Sequence, residues 1–273
     1  MSTTSTVVAT DGTELFERRW PARGDRRGTV VLLHGLGEHT GRYEHVGDAL
    51  AGAGFEVIGR DLRGHGNTGS GTVYVESFDR LLADVDQAIS DARSEADVPV
   101  VLLGHSLGGL LAVASVQSDR SPPDLLVLSA PAIRAEIPLV KRLAARVLTR
   151  LAPRLTVPND LTGDQLSRDP AVGEAYFADP LVVTSTTTRF AAEALAAQRR
   201  LGEGLQPFGI PVLVIHGGAD PIVPPQVSAP LAELEGVERH LFPAFRHESF
   251  NEEGGVPALA VVTDWLERQT SPA

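Results

Sequence analysis

Short apolar runs recur along the chain, and their spacing restricts the fold more than any other feature. They read TVVLLHG (29–35), FEVIGRD (55–61), PVVLLGHS (99–106), DLLVLSAP (124–131) and IPVLVIHGGAD (210–220). A strand with one wet face alternates apolar and polar residues, whereas a short run with little alternation fits a strand covered on both faces. Between most of these runs lie stretches with helical periodicity. In FDRLLADVDQAISDAR (78–93), Phe78, Leu81, Leu82, Val85 and Ile89 fall on one helical face. VPALAVVTDWLER (256–268) predicts a final amphipathic helix. Strands alternating with helices predict an α/β fold, a mostly parallel central sheet flanked by helices. The N-terminus differs: STVVAT and ELFERRW flank Asp11-Gly12, the signature of a hairpin.

One segment interrupts the alternation. From Ala132 to Gln206 the sequence carries helical pattern and turns, as in LVKRLAARVLTRLAP, SRDPAVGEAYFADP and TTTRFAAEALAAQRRL, with no buried-strand run. So long a helical stretch between two core strands reads as a cap. The expected division is a core in two parts, 1–130 and 207–273, with a cap or lid at 131–206.

Charge narrows the function classes. The formal net charge is −11 and no Lys/Arg cluster runs the length of a face, which argues against nucleic acid as a partner. The chain has no cysteine, so disulfides and thiolate chemistry are excluded. MSTTSTVVATDGTELFERRW lacks a basic start, an apolar core and a small-residue cleavage site, and no window of about 18 apolar residues occurs. The expectation is a soluble, cytoplasmic protein.

The chemistry is concentrated where one buried strand turns into a helix. In PVVLLGHSLGGLLAVAS (99–115), Gly104-His105-Ser106-Leu107-Gly108 fits G-x-S-x-G, with a strand before it and a helix after it. In that setting the turn lifts a serine hydroxyl clear of the sheet and aims the N–H groups of the new helix at the reacting centre. A serine needs a base to become a nucleophile, and in this arrangement an acid and then a histidine follow it in sequence. Asp220 follows the apolar run VLVIHGG, and His247 lies just after the last expected strand. Of eight histidines only His240 and His247 follow Asp220, and His240 falls inside a strand pattern. Asp160, Asp164, Asp169 and Asp179 fall in the cap. The candidate triad is therefore Ser106 as nucleophile, His247 as general base and then acid, and Asp220 as the residue that orients the imidazole. The expected oxyanion donors are the backbone N–H groups of Leu107 and Leu36, the latter in the loop after an early strand. No metal-binding histidine motif occurs, so neither metal nor other cofactor is expected.

HGLGEHTGRY (34–43), DLRGHGNTGS (61–70), GHSLGG (104–109), LSRDP (166–170), YFADPLV (176–182) and RHESFNE (246–252) occur in this order. Together they resemble the monoacylglycerol lipase-like serine hydrolases of the α/β-hydrolase fold, over about residues 10–265. The resemblance implies cofactor-free hydrolysis of one ester in a small-headed lipid, typically a monoacylglycerol, through an acyl-enzyme intermediate, with an acyl tunnel beneath the lid. It also implies that Glu38 and Arg42 help form the polar end near the glycerol. The alternative for this pair is a salt bridge stiffening the oxyanion loop. His105, next to the serine, is grouped with them as a substrate-binding candidate. Some animal members carry a histidine three residues after the catalytic one, where this chain has Phe250, and cysteines near the site, which are absent here.

Two further questions stay open at the sequence level. In 139–151, Leu139, Val140, Leu143, Val147, Leu148 and Leu151 share a helical face beside Arg142, Arg146 and Arg150. Such a helix either makes transient contact with an anionic membrane surface or is a cap helix with a solvated basic rim. No obligate protein partner is evident. The alternatives to a monoacylglycerol lipase are a broader carboxylesterase or lysophospholipase, and a non-catalytic binding protein on a hydrolase scaffold.

Overall fold

A computed structural model of the protein describes residues 1–69, 71–135, 148–252 and 256–271. The strands are β1 (Thr3–Val8), β2 (Glu14–Trp20), β3 (Gly28–Leu33), β4 (Phe55–Arg60), β5 (Val100–His105), β6 (Leu125–Ser129), β7 (Thr156–Pro158), β8 (Ser185–Thr187), β9 (Val212–Gly217) and β10 (Val237–Phe242). The helices are α1 (Glu44–Gly52), α2 (Phe78–Glu95), α3 (Leu107–Val116), α4 (Gly163–Leu166), α5 (Pro170–Ala178), α6 (Thr188–Gly202) and α7 (Val256–Thr270). Eight strands join one sheet in the order β1-β2-β4-β3-β5-β6-β9-β10. The β1–β2 hairpin and the β2–β4 pair are antiparallel, and every other neighbour pair in this sheet is parallel. This is the α/β-hydrolase arrangement.

Every residue of β3, β5, β6 and β9 is buried, which explains why their sequences do not alternate. Period-two geometry still sorts them. Val30, Leu32, Val101, Leu103, Leu213 and Ile215 point to one face, against Leu50 of α1 and Val262 and Trp265 of α7. Val31, Leu33, Leu102, Leu126 and Val214 point to the other, against Leu81 and Val85 of α2, Leu110 of α3 and Phe190 of α6. Each fully buried Leu or Val contributes about 1.5–3 kcal/mol, so the two faces together fix the register of the strands. That register aligns their exits: His105 pairs with Ser129, and Ser129 with Ile215. Candidate groups that follow β5, β9 and β10 therefore leave the sheet at its carboxyl edge, where α/β sheets bind ligands.

The stretch between β6 and β9 corrects one expectation. Besides α4, α5 and α6 it contains a two-stranded antiparallel sheet, β7 with β8, where helices and turns alone were expected. Each strand is three residues long, and β7 is fully exposed, so no apolar run marks it. Its Thr and Val residues suit an extended backbone, and the Thr187 hydroxyl ties β8 to the core by donating to the Val73 carbonyl at 2.7 Å. The helix expected at 139–151 lies outside the described residues as far as 147, and residues 148–151 are helical. Among the described residues, no helix is long and apolar enough to cross a membrane.

Candidate active site

Ser106 stands at the junction of β5 and α3 with φ 51° and ψ −109°. A non-glycine residue in this region carries strain of order 1–3 kcal/mol, tolerated only where the surroundings enforce it. The flanking glycines show how. A Cβ on Gly104 would collide with the Gly108 carbonyl, and one on Gly108 with the Leu33 carbonyl. Strand and helix can approach this closely only without side chains at those two positions. The Ser106 N–H donates to the Ser129 carbonyl at 2.9 Å, and its own carbonyl accepts from Leu110 and Ala132, both at 3.0 Å. The backbone is held on both sides of the strained residue.

Three predicted residues meet in one hydrogen-bonded line. His247 Nε2 lies 2.9 Å from Ser106 Oγ, and His247 Nδ1 lies 2.8 Å from Asp220 Oδ2. Asp220 Oδ1 accepts from the N–H groups of Ile222 at 2.8 Å and Val223 at 2.9 Å, so the carboxylate is fixed by its own turn. Burial raises the Asp220 pKa, but hydrogen bonds from His216 and His247 and the nearby imidazole outweigh it and hold the group well below the usual carboxylate range. Burial works against the His247 imidazolium. The hydrogen bond and charge of Asp220, with the charges of Glu248 and Glu38, outweigh it and raise the His247 pKa. A carboxylate, an imidazole and a hydroxyl so arranged can take a proton from the serine and return it to a leaving group.

The predicted oxyanion residues border the same space. Leu36 lies in the loop after β3, Leu107 begins α3, and both line a cavity of about 830 Å³ that opens onto Ser106. Leu110, Leu161, Leu166, Phe190, Leu195 and Val223 give it apolar walls. The part of the chain between β6 and β9 leans directly on the oxyanion loop. Val183 N–H donates to the Gly37 carbonyl at 2.7 Å, and His39 Nε2 lies 2.9 Å from Asp179 Oδ2. Gly37 is required here, because it has φ 81° and a Cβ would meet the Val183 carbonyl.

Glu38, Arg42 and His105 occupy positions with different exposure to the cavity. Glu38 and His105 line it, although each is almost fully buried. Burial pushes the His105 pKa down to about 4, helped by the neighbouring His247, so its ring is neutral. Its Nδ1 lies 3.1 Å from Ser129 Oγ. Arg42 is engaged by protein groups. Its Nε donates to Glu38 at 3.3 Å, and its Nη2 donates to both carboxylate oxygens of Glu248, at 2.9 and 2.6 Å. The Tyr176 ring lies 4.7 Å from its guanidinium. Glu38 also accepts from the Gly35 N–H at 2.6 Å and the Tyr43 hydroxyl at 2.8 Å. A buried ion cluster thus joins the oxyanion loop to the turn carrying His247. Glu248 and Tyr176 were not singled out by sequence reasoning, although both lie in the quoted family blocks and Glu248 adjoins His247. Among the described residues, no group of His, Asp and Glu is placed to hold a metal ion.

Strained serine, hydrogen-bonded imidazole and carboxylate on the carboxyl edge of a parallel sheet define a serine hydrolase site on an α/β-hydrolase fold. Comparison with known proteins narrows the class. A family model described as serine aminopeptidase, S33, matches residues 24–254. The chain is 35% identical over 257 residues to a monoacylglycerol lipase of Mycolicibacterium smegmatis, covering 90% of each. It is 33% identical to a phospholipase of Bacillus subtilis, covering 85% of this chain and 93% of that protein. The crystal structure of a monoacylglycerol lipase from Paleococcus ferrophilus superimposes with a TM-score of 0.85 at 30% identity, covering 94% of this chain and 99% of that one. The chain belongs to this α/β-hydrolase family, among its monoacylglycerol lipase-like serine hydrolases.

Proposed function

We propose that the protein hydrolyses the ester bond of monoacylglycerols to fatty acid and glycerol through an acyl-enzyme intermediate. The observation that carries this reading is the continuous line Asp220–His247–Ser106, opening onto a largely apolar cavity, in a chain resembling monoacylglycerol lipases over nearly its whole length. In the proposed mechanism His247 takes the Ser106 proton as the hydroxyl attacks the ester carbonyl. The Leu36 and Leu107 N–H groups bind the resulting oxyanion, and His247 then protonates the glycerol oxygen as it leaves. Water, activated by His247, releases the fatty acid in the second half. Asp220 keeps the imidazole oriented and stabilises its charged form.

Residues 131–206 act in this reading as a cap over the acyl cavity, with residues 1–130 and 207–273 as the core. The engagement of Arg42 by Glu38 and Glu248 favours a stiffening role for that pair, with Glu38 and His105 bordering the glycerol end. Cytoplasmic placement and transient contact of the cap with a lipid surface belong to the same reading. Leu151 and Leu155 are exposed beside Arg150 and Arg154, which supports the second. Flotation with vesicles tests it: binding stronger to anionic than to neutral vesicles is expected, and equal binding assigns the basic residues to a solvated rim.

The similarity to a phospholipase favours a second substrate class, lysophospholipids. One panel separates the readings: monoacylglycerols of several chain lengths, di- and triacylglycerols, lysophosphatidylcholine and simple esters, with wild type and Ser106→Ala. Turnover of monoacylglycerol above the rest, lost in the variant, is expected. Preference for lysophosphatidylcholine or indiscriminate cleavage of simple esters overturns the substrate assignment, and absence of turnover on every ester favours a binding protein.

A further inference from the structure

Asp220 faces a second histidine that the mechanism above does not use. His216, at the end of β9, is fully buried, and its Nε2 lies 2.8 Å from the Val223 carbonyl and 3.3 Å from Asp220 Oδ2. Both of these are acceptors, so Nε2 carries the proton. Its Nδ1 lies 2.7 Å from Ser228 Oγ. Arg239 Nε donates to that same hydroxyl oxygen at 3.0 Å, while Arg239 Nη2 donates to the Pro225 carbonyl at 2.7 Å. Ser228 Oγ also lies 3.3 Å from the Pro225 carbonyl, so the hydroxyl ties the ring to the turn after Asp220 as well as to Arg239. The ring is thereby held at both nitrogens, by Ser228 at Nδ1 and by Val223 and Asp220 at Nε2.

We infer that His216 is a positioning residue for the triad, holding the Asp220 carboxylate as a second partner of Oδ2 beside His247. It acts along two routes. Directly, it is a second donor toward Oδ2, the oxygen that faces His247 Nδ1. Indirectly, it holds the Val223 peptide by its carbonyl while the N–H of the same residue donates to Oδ1. The turn 220–223 therefore cannot rotate the carboxylate without breaking a bond to His216. The line of groups runs from Arg239 on β10 through Ser228, His216, Asp220 and His247 to Ser106.

The inference rests on the assignment of Asp220 and His247 to the triad, and the experiment keeps the two apart. Hydrolysis of a soluble short-chain p-nitrophenyl ester is followed from pH 5 to 9 for the wild type and for Asp220→Asn, His216→Gln, His216→Leu and Ser228→Ala. Circular dichroism confirms folding. The groups facing His247 in this titration are Asp220, His105, Glu248 and Glu38, with Arg42 behind the carboxylates, and none is altered in the His216 and Ser228 variants. His216→Leu is expected to lower kcat about tenfold with KM nearly unchanged, the loss of one hydrogen bond to a charged group. Its acid limb moves up, because Asp220 then pulls harder on the imidazolium. His216→Gln, which keeps an N–H donor at similar reach, restores kcat and the limb. Ser228→Ala leaves the ring in place without its partner at Nδ1 and shows the same shift at smaller amplitude. Wild-type kinetics in His216→Leu overturn the inference, as does a His216→Gln variant that folds but is as impaired as a core defect. Should His216→Leu not fold, the Gln and Ser228 variants decide by the same criteria. Asp220→Asn reports on the triad alone: full activity there removes the triad assignment, whatever His216 does.

Discussion

The parallel half of the sheet and the segment between β6 and β9 solve opposite problems. In β3, β5, β6 and β9 no residue is exposed, and Ser106 and Asp220, which follow β5 and β9, each lie within a hydrogen-bond length of His247. In the intervening segment β7 is entirely exposed, and Leu148, Leu151, Leu155, Val157 and Phe177 present large apolar side chains to solvent. Apolar residues of those strands have one environment, whereas those of the segment are divided between the core, as Phe190 and Leu201, the cavity, as Leu161 and Leu195, and the outside. Ser106 and Asp220 leave strands buried on both faces, while the segment between β6 and β9 leaves part of its apolar surface open to solvent.

The largest expected effect breaks the first half of that comparison. Ser106→Ala should lower ester turnover by at least about 10⁴-fold with no loss of fold, read by steady-state kinetics and thermal melts. Asp220→Asn should lower kcat by about 10⁴. His247 accepts a proton only when neutral, and Asp220 raises its pKa, so the acid limb of kcat/KM should lie above that of an ordinary imidazole and move down in Asp220→Asn. A limb that does not move would separate His247 from Asp220.

Next comes packing. Gly104→Ala drives a Cβ onto the Gly108 carbonyl and should destabilise by about 3 kcal/mol or more, or prevent folding. Gly202 ends α6 in open space, and Gly202→Ala should stabilise by about 0.5 kcal/mol. Equal effects at the two positions in denaturant melts would erase the contrast. Arg42→Met strands Glu38 and Glu248 together in a buried site and should cost about 3–5 kcal/mol, read in the same melts. The smallest effect concerns the outer face. Leu151→Ser with Leu155→Ser should change stability by less than about 0.5 kcal/mol and leave soluble-ester kinetics intact, while weakening activity on monoacylglycerol held in vesicles.

The same contrast explains what could be read in advance. Strands buried on both faces announce themselves as apolar runs, so the sheet, the turn at Ser106 and the order Ser106, Asp220, His247 were legible residue by residue. The β7–β8 pair was not, because strands of three residues, β7 wholly exposed, carry no periodicity. Neither was the cluster around Arg42: its partner Glu248 is 206 positions away, and an ion pair formed by folding leaves no local pattern. His216 was passed over because it precedes Asp220, in the wrong order for a catalytic base. Its burial at the end of β9, four residues before the carboxylate, is the signal that marks it.

The central claim is that Ser106 is the nucleophile. Its most direct test is to treat the protein with a fluorophosphonate and locate the adduct by intact-mass and peptide mass spectrometry. One adduct per chain on the peptide containing Ser106, absent in Ser106→Ala and much slower in His247→Ala, is the predicted result. A stoichiometric adduct on another residue, or an unmodified Ser106 in folded protein, would contradict the account.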